Sequence, residues 1–250
     1  MLKINEAINE EKKEGLALAT EVVQFDHVTK RYPGKVALRD ANFTLPRGKV
    51  IGLIGPNGSG KSTALKLMAG LLRASGGTVT VNGKPATRRI GGEVAYLSEL
   101  DALYSSFTIE ETIRLQQGLY EDFDQKKAHE MLAFMQLNLW DRVKNLSKGN
   151  RGRLKIVLAL SRSAALILMD EPLSGLDPIV RESIIKGMIS FIDFETQTVI
   201  MTTHEVAEVE PMLDLVVAIR DSQVLKVEEI DNIRGELNMG LVEWMKQTLA

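Results

Sequence analysis

The sequence predicts an α/β fold in which a mainly parallel sheet carries crossover helices and is interrupted by a block of helices. Three observations point there. The apolar run Val50-Ile51-Gly52-Leu53-Ile54 leads through a glycine-rich turn into a helical stretch at 62 to 72. Strand-like runs return at 166 to 169, 199 to 202 and 215 to 219. Each is followed by polar or helical sequence, the alternation of a parallel sheet with crossover connections. Between Glu99 and Ala165 the hydrophobic period becomes helical.

Residues 1 to 20 mix acids and bases (Glu10, Glu11, Lys12, Lys13, Glu14) over a weak helical pattern and read as an added N-terminal arm. The single domain is expected at 21 to 250, with its core at 21 to 98 and 166 to 227. From Val22 to Leu97, β-branched runs alternate with Gly and Pro punctuation, as in Thr78-Val79-Thr80-Val81-Asn82-Gly83, so this part is mainly strand around one helix. Within the insertion at 99 to 165, Thr108-Ile109-Glu110-Glu111 has capping-box spacing, in which hydroxyl and carboxylate satisfy the free amides of a first helical turn. Asp124 caps a second helix with Ala128, Met131, Leu132 and Met135 on one face, and Leu154, Val157 and Leu158 mark a third. Residues 228 to 250 form a helical tail with Leu241, Trp244, Met245 and Thr248 on one face.

With 250 residues, 44% of them hydrophobic and 26% charged, the chain has apolar material for one sizeable core. The longest apolar runs, such as Ala164 to Met169, fall far short of the roughly 18 residues of a membrane-spanning helix, so the chain is not expected to cross a bilayer itself. Met1 to Glu6 lack the features of a secretory signal and cysteine is absent, which fits a cytoplasmic protein. The net charge of −2 is spread without single-sign blocks, and no nucleic-acid partner is expected.

The chemistry begins at Gly55-Pro56-Asn57-Gly58-Ser59-Gly60-Lys61-Ser62, which fits G-x-x-x-x-G-K-[ST] and stands between a strand and a helix. Glycines let the backbone fold so that successive amides face a phosphate, and the helix adds the positive end of its dipole. Lys61 would neutralise β/γ oxygens and the Ser62 hydroxyl would ligate magnesium, with Thr63 completing the candidate nucleotide-binding residues. Leu166-Ile167-Leu168-Met169-Asp170-Glu171 is an apolar strand ending in two acids. It is expected beside the phosphate-loop strand, with both acids at the carboxyl edge of the sheet where open α/β sheets bind ligands. Asp170 would hold magnesium through water, and Glu171 would polarise the attacking water.

In this order the residues resemble the ATP-binding cassette ATPases over roughly residues 22 to 227. The resemblance implies a P-loop (RecA-like) core with an antiparallel β subdomain and the inserted helical subdomain. It also implies ATP and Mg2+ as ligands. Tyr32 resembles the aromatic that stacks on adenine. Leu146-Ser147-Lys148-Gly149-Asn150, followed by Arg153, resembles the family signature, which in the family caps the γ-phosphate of ATP held by the opposing subunit; Ser147 and Gly149 retain its donors. Ser174-Gly175-Leu176-Asp177 resembles the loop that crosses the dimer interface, and His204 the histidine that contacts the γ-phosphate. His27 and His129 have no such context and read as surface or packing residues.

Two departures stand out. Glu99 occupies the place of a glutamine at the junction of core and insertion, where it would still offer magnesium a hard oxygen. Lys148 and Asn150 replace a glycine and a glutamine of the signature. The variants resemble export-type cassettes of bacteria. The resemblance further implies a second cassette subunit, identical or different, and a transmembrane permease that holds the chain at the inner face of the cell membrane. The alternative is a cassette ATPase serving a soluble complex, such as iron-sulfur cluster assembly. A GTPase is disfavoured by the lack of an Asn-Lys-x-Asp guanine motif.

Overall fold

The computed structural model describes residues 21 to 250; the arm expected at 1 to 20 lies outside them. The chain opens with strands β1 (Glu21–Tyr32), β2 (Lys35–Pro46) and β3 (Val50–Ile54), then helix α1 (Lys61–Met68), β4 (Gly76–Val81), β5 (Lys84–Pro85) and β6 (Val94–Leu97). Helices α2 (Ile109–Leu119), α3 (Gln125–Phe134) and α4 (Lys148–Leu160) follow. The chain returns through β7 (Leu166–Asp170), α5 (Pro178–Phe191), β8 (Thr198–Thr202), a single turn α6 (Val206–Val209), β9 (Leu215–Arg220) and β10 (Gln223–Glu229). It closes with α7 (Ile230–Gly235) and α8 (Leu241–Thr248). The C-terminal stretch expected to be helical from residue 228 therefore begins as the end of β10 and turns helical at Ile230.

The strands sort into two sheets. One is antiparallel in the order β2-β1-β4-β5; the other runs β10-β9-β3-β8-β7-β6, parallel except for β10. One expectation is corrected here: the acid-bearing strand β7 does not lie beside the phosphate-loop strand β3, because β8 is inserted between them. Neighbours in a parallel sheet are set by where each crossover returns, and runs of Val, Ile and Leu carry no record of that.

Strand side chains alternate between faces, and here the alternation divides the parallel sheet between two cores. Ile51, Leu53, Leu166, Leu168, Ile200, Val217 and Ile219 join the antiparallel sheet and Leu65 and Met68 of α1 in one apolar layer. Val50, Ile54, Ile167, Met169, Val199, Met201, Val216 and Ala218 face the other way, onto Leu154 and Val157 of α4 and Ile184 and Met188 of α5. Because both faces are covered, these strands read as unbroken apolar runs.

The insertion is built from the caps its sequence announces. Thr108 Oγ1 accepts from the Glu111 amide at 3.1 Å while Glu111 accepts from the Thr108 amide at 2.7 Å, and Asp124 accepts from the Lys127 amide at 2.9 Å. Glu110 on α2 bridges to Arg114 at 2.8 Å and to His129 on α3 at 3.1 Å, which gives His129 a packing role. His27 makes an exposed pair with Asp40. Arg162 fastens the insertion to the core. It is buried, pairs with Asp122, donates to the Gly91 carbonyl at 3.0 Å and stacks over Tyr120 with its guanidinium carbon 3.7 Å from the ring centre.

Candidate nucleotide site

The phosphate loop starts where β3 ends and is sunk into its surroundings. A side chain on Gly55 (φ 148°) would collide with the Ile219 carbonyl, and one on Gly60 (φ 119°) with the Ala37 carbonyl, so both positions require glycine for space as well as for conformation. The fold of the loop brings Lys61 Nζ to the carbonyls of Gly55 at 2.8 Å and Pro56 at 3.1 Å. Burial pushes the Lys61 ammonium below its ordinary pKa, while the carboxylates of Glu171 and Asp170 oppose that shift. Ser59 is buried, and its hydroxyl has no hydrogen-bond partner in the protein. Ser59 does not line the cavity described below, and its amide donates to the Pro56 carbonyl at 3.2 Å.

Asp170, 3% exposed, is held at both oxygens. Oδ1 accepts from the Ser62 hydroxyl at 2.8 Å and from the Thr202 hydroxyl at 3.0 Å; Oδ2 accepts from the Tyr96 hydroxyl at 3.2 Å. Burial raises the Tyr96 pKa, and the neighbouring Asp170 raises it further, so this phenol stays a donor. Glu171 follows at φ 50°, its amide donating to Thr202 Oγ1 at 2.9 Å and its Oε1 lying 3.0 Å from His204 Nε2. Burial raises the Glu171 pKa, and His204 and Lys61 pull against that rise.

These groups surround a cavity of about 380 Å³. It is lined by Tyr32, Asn57, Gly58, Gly60, Lys61, Ser62, Thr63, Glu99, Glu171 and His204, all anticipated from the sequence, by Ser174, expected in the interface loop, and by Lys35 and Ala37, which were not anticipated. Gly55, Pro56 and Ser59 form the rest of the loop, and Asp170 stands behind Ser62. The other residues expected to act across an interface lie elsewhere. Ser147 caps α4 by accepting from the Asn150 amide at 3.1 Å, and Asp177 caps α5 by accepting from the Val180 amide at 3.0 Å. Lys148 lines a neighbouring cavity of about 220 Å³ that shares Glu99, Glu171 and Ser174 with the first, and a side chain on Gly175 would meet its ammonium. None of Ser147, Lys148, Gly149, Asn150 and Asp177 lines the cavity that holds Lys61.

Sequence reading also missed Tyr96 and Thr202, the two hydroxyls that fix the acids together with Ser62. The available signal was Thr202 at the last position of a strand, two residues before His204. The donors suit a magnesium nucleotide: Ser62 and Asp170 place a hydroxyl and a carboxylate in contact, both hard oxygens. Magnesium usually takes only one or two carboxylates from a protein and keeps water and phosphate oxygens for the rest. Among the described residues there is no cluster of three or more acid, His or Cys ligands.

A glycine loop between strand and helix, faced by paired acids at the carboxyl edge of a parallel sheet, defines a phosphate-loop nucleotide-binding protein. The model of one family, described as ABC transporter, matches residues 38–174, and the chain belongs to that family as an ATP-binding ATPase subunit. The ABC transporter ATP-binding protein YtrB of Bacillus subtilis is 25% identical over 86% of this chain and 74% of its own length. The Nod factor export ATP-binding protein I of Cupriavidus pinatubonensis is 31% identical over 87% of this chain and 75% of its own. The lantibiotic transport ATP-binding protein SrtF of Streptococcus pyogenes is 28% identical over 84% and 92%. A solved ATP-binding subunit of an ABC transporter superposes with a TM-score of 0.81 at 27% identity, covering 92% of this chain and all of that one. A dimeric ATP-binding cassette holding ADP and phosphate shares the fold, with a TM-score of 0.73 at 24% identity over 83% of this chain and 98% of its own. Among the described residues no helix is long and apolar enough to cross a membrane.

Proposed function

We propose that this subunit hydrolyses ATP with Mg2+ in a head-to-tail pair of cassettes and thereby drives export through a separate transmembrane permease at the inner face of the cell membrane. The observation that carries the hydrolytic part is the convergence of Lys61, the Ser62–Asp170 contact and the Glu171–His204 contact on one cavity. Tyr32, 40% exposed at the cavity mouth, is free to stack on adenine. Loop amides receive phosphate oxygens, and Lys61 exchanges its two carbonyl partners for the β/γ oxygens. Bound Mg2+ would neutralise charge on those oxygens, held by Ser62 directly and by Asp170 and Glu99 around it. Glu171 orients and polarises the water that attacks the γ-phosphorus, while His204 steadies the Glu171 carboxylate and reaches the γ-phosphate.

Export is supported by the Nod factor relative, whose name carries that direction, and pairing by the solved dimeric cassette. Pairing is supported from within the chain as well. Ser147 and Gly149 sit at an exposed helix start outside their own cavity, a placement suited to capping a γ-phosphate in a second subunit, with Lys148 and Asn150 flanking and Asp177 at the interface. The test is the turnover and oligomeric state of purified Glu171→Gln. Losing general-base assistance should cut turnover by about 10²- to 10⁴-fold while ATP binding persists. Light scattering should show a monomer becoming a dimer on adding ATP and magnesium, and Lys61→Ala should abolish the shift. Wild-type turnover in Glu171→Gln would remove the hydrolytic assignment; a nucleotide-loaded chain that stays monomeric would mean that the pair needs a different cassette or the membrane partner.

A further inference from the structure

We infer that Thr202 is a positioning residue for this reaction, a single buried hydroxyl that fixes the catalytic backbone of Glu171 and the carboxylate of Asp170 together. The inference rests on the roles proposed above for those two acids. A threonine hydroxyl has one proton to give and lone pairs with which to accept, and both capacities are engaged here. It donates to Asp170 Oδ1 at 3.0 Å and accepts from the Glu171 amide at 2.9 Å, in a site where Thr202 itself is 1% exposed. The hydroxyl is delivered by a sheet: Asp170 and Thr202 are register partners at the ends of β7 and β8. Its position is therefore as rigid as the parallel ladder beneath it.

What it holds needs holding. Glu171 is the first residue past β7, and at φ 50° it occupies the left-handed region, unfavourable for a residue with a side chain. The hydrogen bond from its amide to Thr202 secures that conformation and so sets the direction in which the carboxylate leaves the sheet edge toward His204. Asp170 Oδ1 is shared between Thr202 and Ser62 of the phosphate-loop helix, so the same oxygen ties β8 to the proposed magnesium hydroxyl. Without the Thr202 hydroxyl, the Glu171 amide loses its acceptor and Asp170 Oδ1 keeps only Ser62.

The test compares Thr202→Val, nearly isosteric but without the hydroxyl, with Thr202→Ser, which restores it, using Glu171→Gln as control. A displacement of about 1 Å at a reacting group costs up to roughly 10²-fold in rate, so Thr202→Val should lower kcat by about 10- to 100-fold with KM for ATP little changed. Thr202→Ser should recover most of the loss. Electron paramagnetic resonance of Mn2+ titrated with ATP should show weaker metal binding in Thr202→Val, a readout independent of turnover. In the Glu171→Gln background at saturating metal the Val substitution should cost little further rate, because the carboxylate it misplaces is gone and the weakened metal site is filled. Should Thr202→Val not fold by circular dichroism, Thr202→Ala is read in the same way. Wild-type kcat in the Val or Ala variant, equal losses in Val and Ser, or a full further loss in the Glu171→Gln background would overturn the inference. Normal turnover in Glu171→Gln alone would instead overturn the reading on which it rests.

Discussion

Replacing Arg162 by methionine removes the guanidinium that fastens the helical insertion to the core and lies over Tyr120, and keeps an aliphatic stem of similar length. The Arg162 side chain is 5% exposed and that of its partner Asp122 is 23% exposed, and Asp122 Oδ2 already lacks a hydrogen bond. Breaking a buried pair by removing one partner costs about 3–5 kcal/mol, and the partial solvent access of Asp122 places this pair near the lower end. The lost hydrogen bond to the Gly91 carbonyl adds about 1 kcal/mol. The sum is about 4 kcal/mol, which for a domain of this size lowers Tm by roughly 8–16 °C. Circular dichroism melts of wild type, Arg162→Met, Asp122→Asn and the double variant measure both the loss and the coupling. The double variant should be less destabilised than the two single losses added together, because Asp122→Asn relieves the stranded carboxylate. A drop under 2 °C in Arg162→Met, or strict additivity across the four proteins, would refute the reasoning.

Gly60→Ala places a methyl against the Ala37 carbonyl at a left-handed φ, so nucleotide binding should weaken about 5- to 150-fold, given backbone strain of about 1–3 kcal/mol. Gly91→Ala, which meets only open space, should bind as wild type; equal binding of a fluorescent ATP analogue by wild type and Gly60→Ala would contradict this. For Glu171, burial raises the folded-state pKa above the unfolded value, so the folded state holds its proton more tightly. That stability is present at pH below the ordinary 4.5 and is lost as pH rises through the raised folded pKa. Nucleotide-free Glu171→Gln should therefore melt above wild type at pH 8, with the gap closing toward pH of about 4. A Glu171→Gln protein that melts at or below wild type at pH 8 would show that the His204 contact outweighs burial.

The parts of the site that could be read from the sequence are those written in consecutive residues. Gly55 to Thr63 announce a phosphate loop because glycine spacing, lysine and hydroxyl are local requirements, and Thr108 with Glu111 announces a helix start for the same reason. Asp170 and Glu171 were legible as the polar end of an apolar strand. What could not be read depends on pairing at a distance. That β8 separates β7 from β3 follows from the path of two crossovers, so Thr202 looked like an ordinary strand residue although it binds both acids. Tyr96 reaches Asp170 only because β6 is the other neighbour of β7. Lys35 enters the cavity because the hairpin of β1 and β2 carries its turn to the loop at Gly58, a placement no local pattern encodes.

The division of the parallel sheet between two apolar layers makes each five-residue strand a two-channel message. Successive letters of β7 address different audiences: Leu166 and Leu168 speak to the antiparallel sheet and α1, Ile167 and Met169 to the helical side. A substitution at Leu168 will disturb what stands under the phosphate-loop helix, whereas the adjacent Met169 will disturb what the insertion leans on. The two halves of the molecule can thus drift in sequence independently while sharing one wall. Only the last letter, Asp170, belongs to neither layer, and it is the one that faces the site.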